Sequence, residues 1–289
     1  MVYLLILASS AVELVYEVLW MRRFTVLFGG TAPAAAVTLS AIFLGMAAGS
    51  AVVGRLAGRW KRTMRAFAVL QLGMAAGAAL LEPLLRGYEA FLAAFYPVLP
   101  GRPASFLAVR GALALAAVAL PAFFMGGALP LAGHALASRG KRLGTALAGL
   151  CVASLLGACG GTLLVPAVLL PLLGANGSYL AAIAANLVLG GLAAVLGGPR
   201  PEPEALAPAS LAVRAAAVSA RRSPAKSRAP GGFALHGRLS LAFLSGALVM
   251  ALEVLWTRMF SMGHESSVYS FAAVLAFRIL VVWILFTFF

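Results

Sequence analysis

An all-α polytopic membrane protein is the fold class this sequence predicts, and three observations predict it. Of its 289 residues, 63% are hydrophobic and 10% are charged, far from the soluble balance of about half apolar and a quarter charged. Apolar stretches of about 20 residues, enough for a helix to cross roughly 30 Å of hydrocarbon, recur along the chain. The cations gather between those stretches. A soluble core of this size could not hide so much apolar surface, and the mean hydropathy of +1.01 says the same.

Apolar runs bounded by breakers predict eight spans, near 2–20, 34–54, 66–83, 106–131, 144–170, 177–197, 239–257 and 268–289. The first run, MVYLLILASSAVELVYEVLW, has no basic leader region and carries Glu13 and Glu17, so it is expected to be retained as a helix. Between the third and fourth spans, Leu84, Tyr88, Phe91, Leu92 and Phe95 form a helical stripe that predicts a separate amphipathic helix lying in the interface. The segment 198–237, with PRPEPEALAP and RRSPAKSRAPGG, lacks apolar periodicity and predicts a basic, Pro- and Ala-rich linker. Three parts follow: a six-helix membrane unit over 1–197, that linker, and a further membrane segment over 238–289.

The formal charge is +14, from 22 Lys and Arg against 8 acids. These cations lack the interleaved aromatics of a nucleic-acid surface, so nucleic acid is not expected as a partner. They report orientation instead. Fifteen of them fall in the segments 55–65, 139–142 and 200–238, and five in the alternate loops, which predicts a cytoplasmic N-terminus in a cell inner membrane. Cys151 and Cys159 sit eight residues apart in one helical stretch, about 12 Å along the axis, and cannot pair with each other. His134, His236 and His264 show no metal-ligand spacing, and no cofactor is expected.

The chain repeats itself. Residues 17–24 read EVLWMRRF and residues 253–260 read EVLWTRMF, identical at six of eight positions with a constant offset of 236. The repeat sets Glu17 beside Glu253, Trp20 beside Trp256 and Arg22 beside Arg258. The copies fall in the first and seventh spans, six spans on, so both enter the bilayer in the same direction, as in the parallel six-helix halves of the major facilitator fold. The second copy loses the glycine pattern after Leu275, where AFRILVVWILFTFF stands in place of SAIFLGMAAGS. The expectation is one six-helix unit plus the first two helices of a second, as in a truncated or frame-shifted chain.

On YEVLWMRRFTVLFGGT at 16–31, AIFLGMAAGSAVVGRLAGR at 41–59 and ALEVLWTRMFSMGHESSVYSFAAVLA at 251–276, the chain resembles the fused major-facilitator and spermidine synthase family. The resemblance covers most of the membrane part. In GRLAGRWKR at 54–62, Gly58 stands where major facilitator proteins usually carry Asp, so a gating ion pair is not expected there. The family's aminopropyltransferase-like domain is missing. No Gly-rich turn follows a predicted strand, and the chain has no Asp, the residue such synthases are expected to use on polyamine amines. Catalysis by this chain alone is not expected.

What the residues offer instead is intramembrane charge. A carboxylate near a helix centre costs about 2.5 to 3.5 kcal/mol on insertion scales and usually faces a bundle interior. Glu17 and Glu253, with Glu13 one turn before Glu17, are the candidate ligands for a polyamine or other small cation, or a proton relay. Arg110 in the fourth span is a candidate partner across the bundle. The blander account has each Glu pairing with the nearby Arg22 or Arg258, and Trp20 and Trp256 anchoring the interface. Gly45 and Gly49, Gly73 and Gly77, and Gly157 and Gly161 have the small-xxx-small spacing of close helix packing. The expected function is the membrane module of a synthase-like fusion, transporting or sensing a polyamine or small cation. The alternatives are a non-catalytic anchor for a soluble synthase domain or protein, and a fragment without function of its own.

Overall fold

The computed structural model describes residues 1–28, 32–60, 62–95, 103–137 and 143–197, with scattered positions between 237 and 259. The described residues are helical, with no strand among them. Met1–Gly197 and Glu253–Phe289 form one compact unit, and Gly198–Leu252 forms a second. In the second, the described positions are Gly237 and parts of 240–252, all helical and exposed. Residues 1–197 make up the larger described part of the first unit.

Six long helices occupy this region: α1 (Val2–Phe28), α2 (Ala32–Leu56), α3 (Thr63–Phe95), α4 (Pro103–Ala137), α5 (Leu143–Leu164) and α6 (Leu170–Leu196). A 3-10 turn, Ala57–Arg59, extends α2, and a π-helical turn, Val165–Leu169, joins α5 to α6. Pro103 opens α4, where its fixed φ suits the first helical turn and its missing N–H is no loss.

Five stretches are long and apolar enough to cross a membrane: Val2–Val26, Ala36–Arg59, Thr63–Leu85, Ala116–Ala137 and Gly144–Leu196. The last is 53 residues long, about 80 Å if straight and well beyond one bilayer. It does not run straight. Gly157 meets Leu7 and Gly161 meets Ala11, so α5 runs parallel to α1. On the other arm, Gly190 meets Leu72 and Gly197 meets Met64, so α6 runs antiparallel to α3. Ser9 bonds Gln71 and Arg23 bonds Glu82, which makes α1 and α3 parallel. The chain therefore reverses between Gly161 and Gly190. The reversal falls at Gly174, whose φ of 66° is open to glycine without the Cβ clash other residues meet.

Helix α3 corrects one expectation. The stripe from Leu84 to Phe95 is no separate interfacial helix, because α3 continues unbroken from Thr63 to Phe95 with Pro83 inside it. Proline removes one backbone bond and crowds the carbonyl four residues earlier, yet helices in packed apolar surroundings tolerate it.

Packing divides the helices into two kinds of contact. Along α2 and α4 the backbones touch: a Cβ on Gly49 would overlap the carbonyl of Phe123, and a Cβ on Gly126 would overlap that of Met46. Gly45 completes the contact, its Cβ position 2.7 Å from the Cβ of Ala122. Between α1 and α5, Gly157 and Gly161 lie directly on the carbonyls of Leu7 and Ala11. Gly73 and Gly77 let α3 close on α4 at Phe124 and Pro121. Without glycine these helices would stand apart by a side chain. Large apolar side chains remain outside the bundle, among them Leu172, Leu180, Val188 and Val195. Apolar surface of that extent belongs against lipid.

Candidate functional site

Among the described residues, α1 carries four of the nine buried polar or charged side chains. Ser9, Ser10, Glu13 and Glu17 are buried there, joined by Gln71 of α3, with Ser178 and Asn186 of α6. Positions 9, 13, 16, 20 and 23 follow helical spacing, so one face turns toward α3 and α6 over about 21 Å.

The seam has three levels. At the first, the Gln71 amide nitrogen donates to Ser9 Oγ at 2.6 Å, and Ser9 Oγ donates to Glu13 Oε1 at 2.9 Å. Beside it, Ser10 and Ser154 of α5 share a hydrogen bond of 2.9 Å. Gln71 Oε1 is buried and, among the described residues, accepts no hydrogen bond.

At the second level, Glu17 lies one turn beyond Glu13 with 6% exposure. Tyr16 stacks on Trp20 with ring centroids 5.3 Å apart and meets Tyr179 of α6 edge to face at 5.7 Å. Trp20 Nε1 donates to the Tyr179 hydroxyl at 3.5 Å, and that hydroxyl donates to the Ala78 carbonyl of α3 at 2.6 Å. Asn186 donates to the Tyr16 hydroxyl at 3.4 Å, while its buried Oδ1 accepts no hydrogen bond among the described residues.

The third level closes one end. Arg23 forms an ion pair with Glu82 of α3, donates to Asn176 Oδ1 of α6 at 2.9 Å, and sits over the Tyr179 ring at 5.0 Å. One guanidinium thus holds three helices, using the donor fork and flat face that distinguish arginine from lysine.

Trp20 corrects a second expectation. It is completely buried against Tyr16 and Tyr179, not an interface anchor, because the face that carries Glu13 also carries Trp20 inward. Arg22 is exposed, and the ion pair at this end belongs to Arg23. Arg110 lies within α4, but its side chain is outside the described residues, as are Glu253, Trp256 and Arg258 entirely. The glycine pairs stand at helix contacts away from the seam. Cys151 is exposed and Cys159 half-buried, both as free thiols. Among the described residues no group of three or more His, Cys, Asp or Glu could hold a metal.

Gln71, Asn186, Tyr179 and Arg23 were not singled out by sequence reasoning. The first two had a signal: lone amides in otherwise apolar spans must find partners when lipid supplies none.

Separate polar contacts spaced along α1 inside an apolar bundle can hold positive charge at the carboxylates and lock or release α1 against α3 and α6. No protein-family model, curated protein or solved structure matches the chain.

Proposed function

We propose that this protein is a cation-handling membrane module of major-facilitator-like architecture, in which Glu13 and Glu17 receive a polyamine or other small cation for transport or sensing. The observation that carries this reading is the burial of two carboxylates one turn apart within the bundle, exposed by only 8% and 6%. Intramembrane carboxylates are expensive and mark cation or proton pathways.

The packing pattern supports the architecture. Exchanging α1 with α4, α2 with α5 and α3 with α6 turns the α1–α5 contact into α4–α2, and α3–α4 into α6–α1, while α3–α6 maps onto itself. The paired glycines obey the same exchange, Gly45 and Gly49 on α2 corresponding to Gly157 and Gly161 on α5. Such a pattern is that of two inverted three-helix repeats nested in one half of a major facilitator protein. In this reading the N-terminus is cytoplasmic and the membrane is the cell inner membrane.

The sealed seam is one conformation of a cycle. Opening requires α1 to part from α3 and α6, and the Arg23, Glu82, Asn176 and Tyr179 knot is the contact that would have to break. Releasing it exposes Glu17 first and Glu13 next.

Purified protein in detergent should show an upward shift in unfolding temperature with spermidine or putrescine. A ligand at a hundred times its Kd stabilises a protein by about 2.7 kcal/mol. Glu17→Gln, which keeps shape and removes charge, should abolish the shift. Absence of any shift, together with an unaltered Glu17→Gln variant, would falsify the polyamine reading. Capture of a soluble aminopropyltransferase by a Glu13→Gln, Glu17→Gln double variant that has lost cation binding would favour an anchoring role instead.

A further inference from the structure

Glu13 offers a smaller ligand than a polyamine. We propose that Glu13, Ser9 and Gln71 form the binding site of a coupling proton, and that the hydrogen-bond chain through them reverses direction when the proton binds. This rests on the reading of α1 as a cation-handling helix and names its coupling ion.

The chain has a direction. Gln71 Nε2 donates to Ser9, and Ser9 donates to Glu13 Oε1. A serine hydroxyl has a single hydrogen, and an ionised Glu13 can only accept, so with the carboxylate charged that hydrogen points to Glu13. The arrangement leaves Gln71 Oε1 buried without a donor, in a side chain exposed by only 2%. An unmatched buried acceptor is costly, so its presence asks for a second state in which it is matched.

A proton on Glu13 Oε1 supplies that state. The carboxyl now donates to Ser9 Oγ, and the serine hydrogen must swing away from it. The Gln71 amide, turned half a revolution, presents Oε1 to receive that hydrogen. One proton is taken up, it resides on Glu13, and no other bond is made or broken. The unmatched atom moves from Oε1 to Nε2, so each state leaves one amide atom unsatisfied and neither is strongly preferred by the chain itself.

The geometry favours a proton over a larger ion. Contacts of 2.6 and 2.9 Å on either side of Ser9 leave no space for an ion between the three groups. Among the described residues, the charged or titratable groups around Glu13 are few. On α1 they are Glu17 and Tyr16; α3 brings the Arg23-bound Glu82 farther along, and α6 brings Tyr179. On α5 the facing polar group is Ser154, which has no charge.

Infrared difference spectroscopy of the full chain in lipid nanodiscs, recorded across pH, tests this. The expected result is a carboxylic-acid carbonyl band that titrates, is lost in Glu13→Gln and persists in Glu17→Gln. A side-chain amide band, assigned by its loss in Gln71→Leu, should shift with the same midpoint, and should stay fixed in Glu13→Gln and Ser9→Ala. Monodisperse elution of each variant establishes folding. Persistence of the carboxylic-acid band in Glu13→Gln, or an amide band indifferent to pH in wild type, overturns the proposal. Spermidine stabilisation without a titrating band overturns the proton site alone. A titrating band without any polyamine response supports the proton site and removes the polyamine.

Discussion

Facing α5, helix α1 presents the carbonyls of Leu7 and Ala11 so closely that only glycine fits at positions 157 and 161. Facing α3 and α6, about 200° around the same helix, it presents Ser9, Glu13, Tyr16, Trp20 and Arg23, each in a polar or aromatic contact. The first side is held by shape, since close backbones gain dispersion contacts and weak Cα–H hydrogen bonds that lipid cannot replace. The second includes two buried amide oxygens with no donor, at Gln71 and Asn186. A seam built for stability alone would have been filled with Leu and Ala, as the rest of the bundle is. The difference separates the part of α1 that fixes the fold from the part that has something to do.

The sharpest way to break this comparison is to spoil the shape. Gly161→Val places a branched side chain on the Ala11 carbonyl and should destabilise the bundle by about 3 kcal/mol, the upper end of ordinary overpacking. Gly160→Ala is the control, because a Cβ there meets nothing within 4 Å, and alanine in a helix gains about 0.5 to 1 kcal/mol over glycine. Unfolding in detergent, followed by circular dichroism, should show the two neighbouring substitutions moving in opposite directions. Equal behaviour would mean that α1 and α5 are not in backbone contact.

The shape-held side was legible in the sequence, and the polar side only in part. Small-xxx-small spacing is a local pattern, so Gly45, Gly49, Gly157 and Gly161 could be marked from one segment alone. Six apolar runs gave the helices of 1–197 with ends displaced by several residues, because helix ends depend on caps and neighbours. The continuation of α3 through Pro83 was hidden by a residue that usually stops a helix but does not stop this one. Trp20 followed by two arginines resembled an interface anchor. Which way it turns is decided by its contact with Tyr179 of α6, 159 residues away in the chain. Arg23 and Glu82, separated by 59 residues, had no local signature at all.

A second test acts on the polar side. Arg23 and Glu82 are 20% and 31% exposed, so their pairing is partly screened and should contribute about 1 kcal/mol or less. Arg23→Ala also loses Asn176 and the Tyr179 ring, and should cost about 1 to 2 kcal/mol in total. A double-mutant cycle with Glu82→Ala separates the pair from the rest. Arg23→Lys sharpens the point: lysine keeps the charge but cannot fork or stack, so stability should fall most of the way to the alanine value. If lysine restores wild-type stability, the knot is a simple charge contact and not a three-helix clamp.

The smallest expected effect decides most about why the polar side exists. Gln71→Leu keeps the volume, removes the orphaned Oε1, and leaves Ser9 still donating to Glu13. It forfeits one interhelical hydrogen bond, worth about 0.6 kcal/mol on average within membranes, and gains buried apolar surface in exchange. The sum should lie within about 0.5 kcal/mol of zero, in contrast to the glycine side, where adding one side chain is expected to cost several times more. A neutral Gln71→Leu that also loses its response to cation or pH would show that the amide is retained for what it does rather than for what it holds together. A loss of more than about 2 kcal/mol would instead make Gln71 a structural clamp, the penalty expected when a buried polar group loses a partner it needs.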